Sequence, residues 1–316
     1  MISQGVAMKR AVLVGINKYA QAPLRGCVND CLLMHKVLTE KFGFKNENIY
    51  LLLDEDATKA KILKRLRTIA KKSQPGDTLY FHFSGHGSQV IVNDKTKSNE
   101  SDGLDEIICP YDFDWNDPLR DNDLNKIISI IPKNVLNLFV LDCCHSGTGL
   151  RNTWKSPDKM TTEHDWVNRF MPPPPSNLLK DSTITLDNNL NFVSKKAIKP
   201  DTQFLVHTLD QGDAILISGC RDNQVSADAW IGERYHGALT FCLASVLQQK
   251  NYSVTLKELV LEINKQLKEA RFTQEPQLEC KQSYFNEKFL IKKKVTEYKK
   301  KRGCQICNLL KTFFTQ

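Results

Sequence analysis

Two apolar stretches of this chain close on side chains able to do chemistry. Thr78-Leu-Tyr-Phe-His-Phe runs into Ser84-Gly-His-Gly87, and Val135-Leu-Asn-Leu-Phe-Val-Leu runs into Asp142-Cys-Cys-His-Ser-Gly147. A cysteine attacks as its thiolate, and a histidine brought beside it by the fold is the usual device that activates it. Cys144 and His86 are therefore the candidate nucleophile and base, with Cys143 a second thiol at the same place. Taken one by one, buried cysteines and a loop histidine read more simply as packing residues. The matching form of the two stretches favours chemistry, because glycines on both sides of His86 let a backbone approach without a Cβ in the way.

The elements that must position these groups follow from the pattern. Continuous apolar runs bounded by turn residues read as parallel strands buried on both faces, and open α/β sheets place their chemistry at the carboxyl ends of such strands. Arg10 to Ile16 and Asn48 to Leu53 read as further strands. The stretch after Gly26 reads as a helix to Glu40, capped by Asn29 or Asp30, with Leu32, Leu33, Val37 and Leu38 on its apolar side. Asp30 is a cap on one reading and a carboxylate facing the site on the other. A helix rich in Lys and Arg opens near Asp56, and strand-helix alternation predicts an α/β fold, a mostly parallel central sheet flanked by helices on both faces. Farther on, residues 213–220 read as a strand, 237–247 and 256–270 as helices, and 275–290 as a last loop with a closing strand at 286–290.

Phe83-Ser-Gly-His-Gly-Ser88 paired with Asp142-Cys-Cys-His-Ser-Gly147 resembles the metacaspases, cysteine peptidases of the caspase-like fold. The resemblance covers about residues 9–289. It implies one catalytic domain over 1–290, with a large-subunit-like part at about 9–150, a linker at 151–211 where self-cleavage falls, and a small-subunit-like part at 212–290. It makes Cys144 the nucleophile and His86 the base. The reaction is then hydrolysis of a peptide bond through an acyl-enzyme, with the backbone N–H groups of Cys144 and Gly87 holding the oxyanion, at about 3 kcal/mol per donor. The resemblance also puts Asp30 and Asp142 in the specificity pocket, with Cys27 and Ser84 lining it. Two carboxylates in one partly buried pocket call for a cation, and the planar fork of arginine suits them best. Cleavage after Arg or Lys, Arg preferred, is expected of protein or peptide substrates. A permanent internal arginine between Asp30 and Asp142 would contradict it.

Acidic residues crowd 99–123, a composition that suits calcium or an acidic surface insertion. By resemblance Asp105 and Asp121 are calcium ligands, yet Asn122 and Arg151 stand where acidic residues are expected, so weak, relocated or absent calcium control is expected and the chemistry itself needs no cofactor. The linker carries four consecutive prolines from Pro172 and basic residues that include Arg151, Lys155, Arg169 and Lys180; a loop this long is functional or disordered.

A chain of 316 residues, 41% hydrophobic, can bury a full core. No run approaches the roughly 18 apolar residues that span a bilayer, and ten cysteines without an export signal read as reduced thiols, which points to the cytoplasm. The net charge of +8 comes largely from the lysine-rich end and the helix at 59–72, a solvated face rather than a nucleic-acid site. The tail 291–316 joins Lys clusters to Cys304, Cys307 and an apolar patch. A disordered basic tail is its plain reading and contact with an anionic membrane the functional one; a redox pair at Cys304 and Cys307 lacks strand-helix context. The family pattern makes the chain a monomer. A rival of another class is a catalytically idle caspase-like scaffold that binds partners through the cleft.

Overall fold

Alternation along the apolar runs decides which face of the sheet each side chain covers, and both faces need a cover. In the computed structural model of the chain, residues 6–91, 104–144, 166–172, 184–186, 192–194, 214–221 and 224–291 are described. Residues 145–147, Arg151, most of the linker and the tail with Cys304 and Cys307 lie outside them. In chain order the first half holds β1 (Lys9–Gly15), α1 (Cys27–Phe42), β2 (Ile49–Leu53), α2 (Lys59–Lys72), β3 (Thr78–Ser84), β4 (Gly87–Ile91), β5 (Leu104–Ile108), β6 (Leu119–Arg120), α3 (Asp121–Ile128) and β7 (Leu136–Asp142). The second half holds β8 (Trp166–Asn168), β9 (Ile184–Leu186), β10 (Phe192–Ser194), β11 (Ala214–Ser218), β12 (Ala227–Ile231), β13 (Arg234–Gly237), α4 (Ala238–Gln249), α5 (Leu256–Glu269) and β14 (Gln277–Glu279).

The central sheet has six strands in the order β14-β11-β7-β3-β1-β2, all pairs parallel except β11 with β14. One face carries Val12, Val14, Phe81, Phe83, Phe139 and Leu141 against Ile62, Leu66 and Ile69 of α2 and Leu124 and Ile127 of α3. The other carries Leu13, Tyr80, Leu138, Val140 and Ile217 against Met34 and Leu38 of α1, Leu243 and Leu247 of α4 and Ile263 of α5. Burying each such side chain stabilises the fold by about 1.5–3 kcal/mol relative to exposure. Helices thus cover both faces of a mostly parallel sheet, the α/β architecture expected of the chain.

Several local expectations are corrected. α1 begins at Cys27 with Gly26 at its N-cap and no side-chain cap, so neither Asn29 nor Asp30 caps it. Leu32 points to solvent at 49% exposure, and Cys31 and Met34 take its place in the core. The stretch 286–290 forms no strand. The closing strand is β14, whose antiparallel partner is β11, while Lys288 makes only bridges to Thr255 and Ile291. Within the acidic segment β5 pairs antiparallel with β6, and on its other side with β4.

His82 of β3 is fully buried, its ring nitrogens 3.4 Å from Tyr80 OH and Thr240 Oγ1. Burial pulls its pKa from 6.5 down to about 4, and that of the equally buried His86 likewise. Between those pH values the unfolded chain binds protons that the folded chain refuses, so stability falls as pH drops from about 6.5 to 4, by roughly 1.4 kcal/mol per pH unit per histidine. Thermal melts across this range should show that loss, with a shallower slope for His82→Gln; a flat profile would contradict the buried neutral state.

Candidate active site

The carboxyl ends of three parallel strands meet in register: Gly15 of β1 faces Ser84 of β3, and Ser84 faces Asp142 of β7. α1 starts directly above Gly15, so close that a Cβ there would strike the Cys27 carbonyl and the Cys31 sulfur. Its first turn thereby drops Asp30 onto the strand ends, where Ser84 Oγ donates to Asp30 Oδ2 at 2.7 Å. His236 Nδ1 lies 2.9 Å from Asp30 Oδ1, and Gly237 N donates to both carboxylate oxygens at 3.1 and 3.0 Å. Asp142 accepts from Ser226 Oγ at 2.7 Å and from Thr240 N and Oγ1 at 2.9 and 2.6 Å. Cys27 borders the same pocket, with Ser84 and Arg169 among its neighbours. The four residues expected to line a cation pocket, Asp30, Asp142, Cys27 and Ser84, are thus brought together and fully buried.

The pocket is filled by the chain's own Arg169, which is fully buried. Its Nη2 donates to Asp30 Oδ2 and to Asp228 Oδ1, both at 2.8 Å, while its Nη1 donates to Ser84 Oγ at 2.7 Å and lies 3.3 Å from Asp142 Oδ1. Three carboxylates surround one guanidinium, and no side chain can intrude at Gly237, where a Cβ would strike Asp142 and the guanidinium. Burial raises Asp30, but Arg169, His236 and Ser84 together hold it below the usual carboxylate value; for Asp228 burial prevails over Arg169 and the pKa rises. The internal arginine named above as an adverse sign is therefore present, and its backbone decides what it means.

That backbone crosses the cleft between the two strand-end loops. Residues 166–168 pair antiparallel with β12, with Asn168 opposite Ala227 and Val167 opposite Asp228. Arg169 N donates to Ser226 O at 3.0 Å, and Arg169 O accepts from Gly87 N at 3.0 Å and from Cys144 N at 3.1 Å. Beyond it Met171 N donates to Gly87 O at 2.9 Å, and Ser88 Oγ donates to Met171 O at 2.7 Å. The two N–H groups expected to form an oxyanion hole thus converge on one carbonyl oxygen, which also fixes Cys144 and the His86 loop on the same side of the molecule.

His86 Nε2 is 2.7 Å from Ala22 O. A carbonyl only accepts, so this nitrogen carries the proton, and burial keeps the ring neutral by lowering its pKa to about 4. Nδ1 is left as the acceptor, buried and without a hydrogen-bond partner among the described residues. Tyr19 packs on the ring at 4.6 Å between centroids, accepts from His86 N at 3.0 Å and donates to Cys109 O at 2.8 Å, which fixes the loop. The Cys144 sulfur accepts from Ser226 N at 2.6 Å and lies in a small apolar cluster with Phe170, Cys220 and Val225. Cys143 instead belongs to the main core, where burial pushes its thiol well above the ordinary range. The two adjacent cysteines have opposite surroundings, and it is Cys144 that borders the cleft.

Asp228, Arg169 and Tyr19 were not singled out as site residues by the sequence. Asp228 lies in a strand whose alternation shows only after pairing with β8, and Arg169 is one basic residue among many in an aperiodic linker. For calcium, the described residues contain no group of three or more His, Cys, Asp or Glu side chains able to hold a metal. Asp121 opens α3, and its Oδ1 accepts from Asn122 N at 2.6 Å. The side chain of Asp105 and all of Arg151 lie outside the described residues. The expected calcium ligands are therefore only partly among the described residues.

A family model described as metacaspase, peptidase C14 domain, matches residues 9–153. Metacaspase-1 of Kluyveromyces lactis is 31% identical over 298 residues, covering 88% of this chain and 67% of that protein. Metacaspase-1B of Neurospora crassa is 31% identical over 297 residues, covering 88% and 68%. Among solved structures, protein GSU0716 from Geobacter sulfurreducens superposes with a TM-score of 0.59 at 22% identity, over 90% of this chain and 98% of that one, a likeness of fold alone. Strand ends, cleft and relatives agree, and the chain belongs to the metacaspase family of cysteine peptidases.

Proposed function

We propose that this peptidase cleaves after arginine, and after lysine less well, through a Cys144–His86 dyad. The observation that carries the reading is the guanidinium of Arg169 seated among Asp30, Asp142 and Asp228 while its carbonyl receives the N–H groups of Gly87 and Cys144. A substrate arginine in that place would bring its own carbonyl to the same two donors. Cys144 gives its proton to His86 Nδ1 and attacks the carbonyl carbon; the tetrahedral oxyanion is held by Gly87 N and Cys144 N; His86 then protonates the departing amine. Water hydrolyses the thioester and restores the thiol. His86 suits this task because Ala22 holds its other nitrogen and Tyr19 its plane.

The pocket explains the preference for arginine. One arm of the fork, Nη2, reaches Asp30 and Asp228 at 2.8 Å while the other, Nη1, donates to Ser84 at 2.7 Å and faces Asp142 at 3.3 Å, and a lysine ammonium has only one nitrogen to put in these two places. Three carboxylates facing one cation also repel an aspartate at the same place.

The chemistry is assigned to Cys144 and His86 without a metal ligand, and calcium, where it acts, is a modulator through Asp105 and Asp121. The chain is read as a cytoplasmic monomer that acts on proteins or peptides and not on nucleic acid. The free state of the cysteines in the described residues supports a reducing compartment, and the three-residue edge strand β14 suits a blunted sheet edge. The rival reading, an idle scaffold, takes Arg169 as a permanent plug; the oxyanion donors on its carbonyl favour the peptidase.

Hydrolysis of an arginyl aminomethylcoumarin amide should fall to background in Cys144→Ala with the fold unchanged by circular dichroism, whereas Cys143→Ser keeps turnover. Activity that survives Cys144→Ala and vanishes in Cys143→Ser would reverse the assignment. Asp228→Asn removes one charge-assisted bond of about 1.5–3 kcal/mol and should lower kcat/KM for the arginyl substrate roughly ten- to hundredfold. An unchanged kcat/KM in that variant would remove Asp228 from the specificity pocket.

A further inference from the structure

The family resemblance marks residues 151–211 only as a linker in which self-cleavage is expected. The structure singles out one bond in it. From Trp166 to Met171 the chain lies in the cleft in the manner of an extended substrate: three residues pair with β12, a basic side chain enters the acidic pocket, its carbonyl sits on two convergent N–H groups, and the next residues are held by Gly87 and Ser88. Gly87 also bridges to Phe170 in parallel register, so the chain is gripped on both sides of residue 169.

We propose that residues 166–171 are a built-in substrate, that the Arg169–Phe170 peptide bond is the one this enzyme cuts in itself, and that until it is cut the segment excludes other substrates from the cleft. This rests on the peptidase reading above and adds to it the bond and its consequence. Trp166 packs against the cluster of Cys144, Phe170, Cys220 and Val225, and Val167 and Asn168 are buried, so among the described residues the segment itself fills the cleft.

The step balances with water alone. The Cys144 sulfur, its proton passed to His86, bonds to the Arg169 carbonyl carbon; the C–N bond to Phe170 breaks, and the amine takes the proton from His86. Water then cleaves the thioester, leaving a carboxylate on Arg169 and the thiol on Cys144. For attack the sulfur must give up the hydrogen bond it accepts from Ser226 N, which holds it in this structure.

The cut changes the energetics of occupancy. Before it, Arg169 is tethered on both sides and competes with any incoming arginine as an intramolecular ligand. Afterwards the segment is severed and a new ammonium appears on Phe170 in apolar surroundings. That charge is costly where it forms, which favours departure. Before departure the three carboxylates keep their cation, so the uncut chain never exposes an unpaired acidic pocket.

The test uses the full-length chain. Wild type and Cys144→Ala are incubated with and without calcium, the products are mapped by intact mass and N-terminal sequencing, and hydrolysis of acetyl-Trp-Val-Asn-Arg-aminomethylcoumarin is followed in parallel. A new N-terminus at Phe170 should appear in wild type and not in Cys144→Ala. Coumarin release should accelerate as the cut accumulates, by about tenfold or more, the change expected if the cleft is open in fewer than one uncut chain in ten. Arg169→Gln should lose this cut, and if it melts like wild type it should hydrolyse the coumarin peptide without the lag. Wild type that hydrolyses the peptide at its full rate while the Arg169–Phe170 bond stays whole would overturn the inference and leave the peptidase reading intact. A fragment starting at Phe170 in Cys144→Ala would overturn the inference as well, and a folded wild type that neither cuts itself nor hydrolyses the peptide would overturn both.

Discussion

One guanidinium among three buried carboxylates holds this structure together at its functional end. Asp30 comes from α1, Asp142 from β7, Asp228 from β12 and Arg169 from the linker, so four segments far apart in sequence depend on a single charge balance. Buried charges are tolerated only when paired and hydrogen-bonded, and here every carboxylate has further donors: Ser84, His236 and Gly237 for Asp30, Ser226 and Thr240 for Asp142, and the backbone N–H groups of Arg25 and Gly26 for Asp228. Removing the cation alone would leave carboxylates that repel one another. The pocket therefore favours occupancy by a cation.

The parallel sheet supplies what this balance needs from the fold. Register between β1, β3 and β7 sets Gly15, Ser84 and Asp142 side by side, and the absence of a side chain at Gly15 lets α1 come down onto them. The loops that follow β3 and β7 then carry His86, Gly87 and Cys144 to the rim of the same pocket. The pocket residues and the proposed dyad are thus adjacent because they lie close together at the same two strand ends: Ser84 precedes His86 by two positions, and Asp142 precedes Cys144 by two. The environments of the paired cysteines follow from the same alternation, since a strand end that turns Asp142 and Cys144 toward the cleft turns Cys143 into the core.

This part of the molecule was legible in the sequence because it is local. Apolar runs that end in Ser84-Gly-His-Gly87 and Asp142-Cys-Cys144 announce buried strands and the groups at their tips, and a carboxylate one turn into a helix announces Asp30. What was not legible depends on pairing across long separations. Arg169 is linked to Asp30 across 139 positions, and nothing in the aperiodic linker distinguishes it from Lys155 or Lys180. β8 is three residues long, too short for a period, and it exists only because β12 lies beside it. The apolar Phe289 and Leu290 that close 286–290 imitate a strand end, yet β14 already occupies the edge beside β11. At α1 the tight approach to Gly15 brings Cys31 and Met34 inward and leaves Leu32 outside, a rotation about the helix axis that helical spacing alone does not fix.

The central claim is that Cys144 is a nucleophile beside a pocket built for a guanidinium. Its most direct test is covalent: treatment of the folded wild-type chain with a peptidyl-arginine chloromethyl ketone and with the matching aspartyl reagent, followed by peptide mapping. The account predicts alkylation of Cys144 by the arginyl reagent, none by the aspartyl one, and no label on Cys143. Equal labelling of Cys144 by both reagents, or a label on Cys143 in its place, would contradict it.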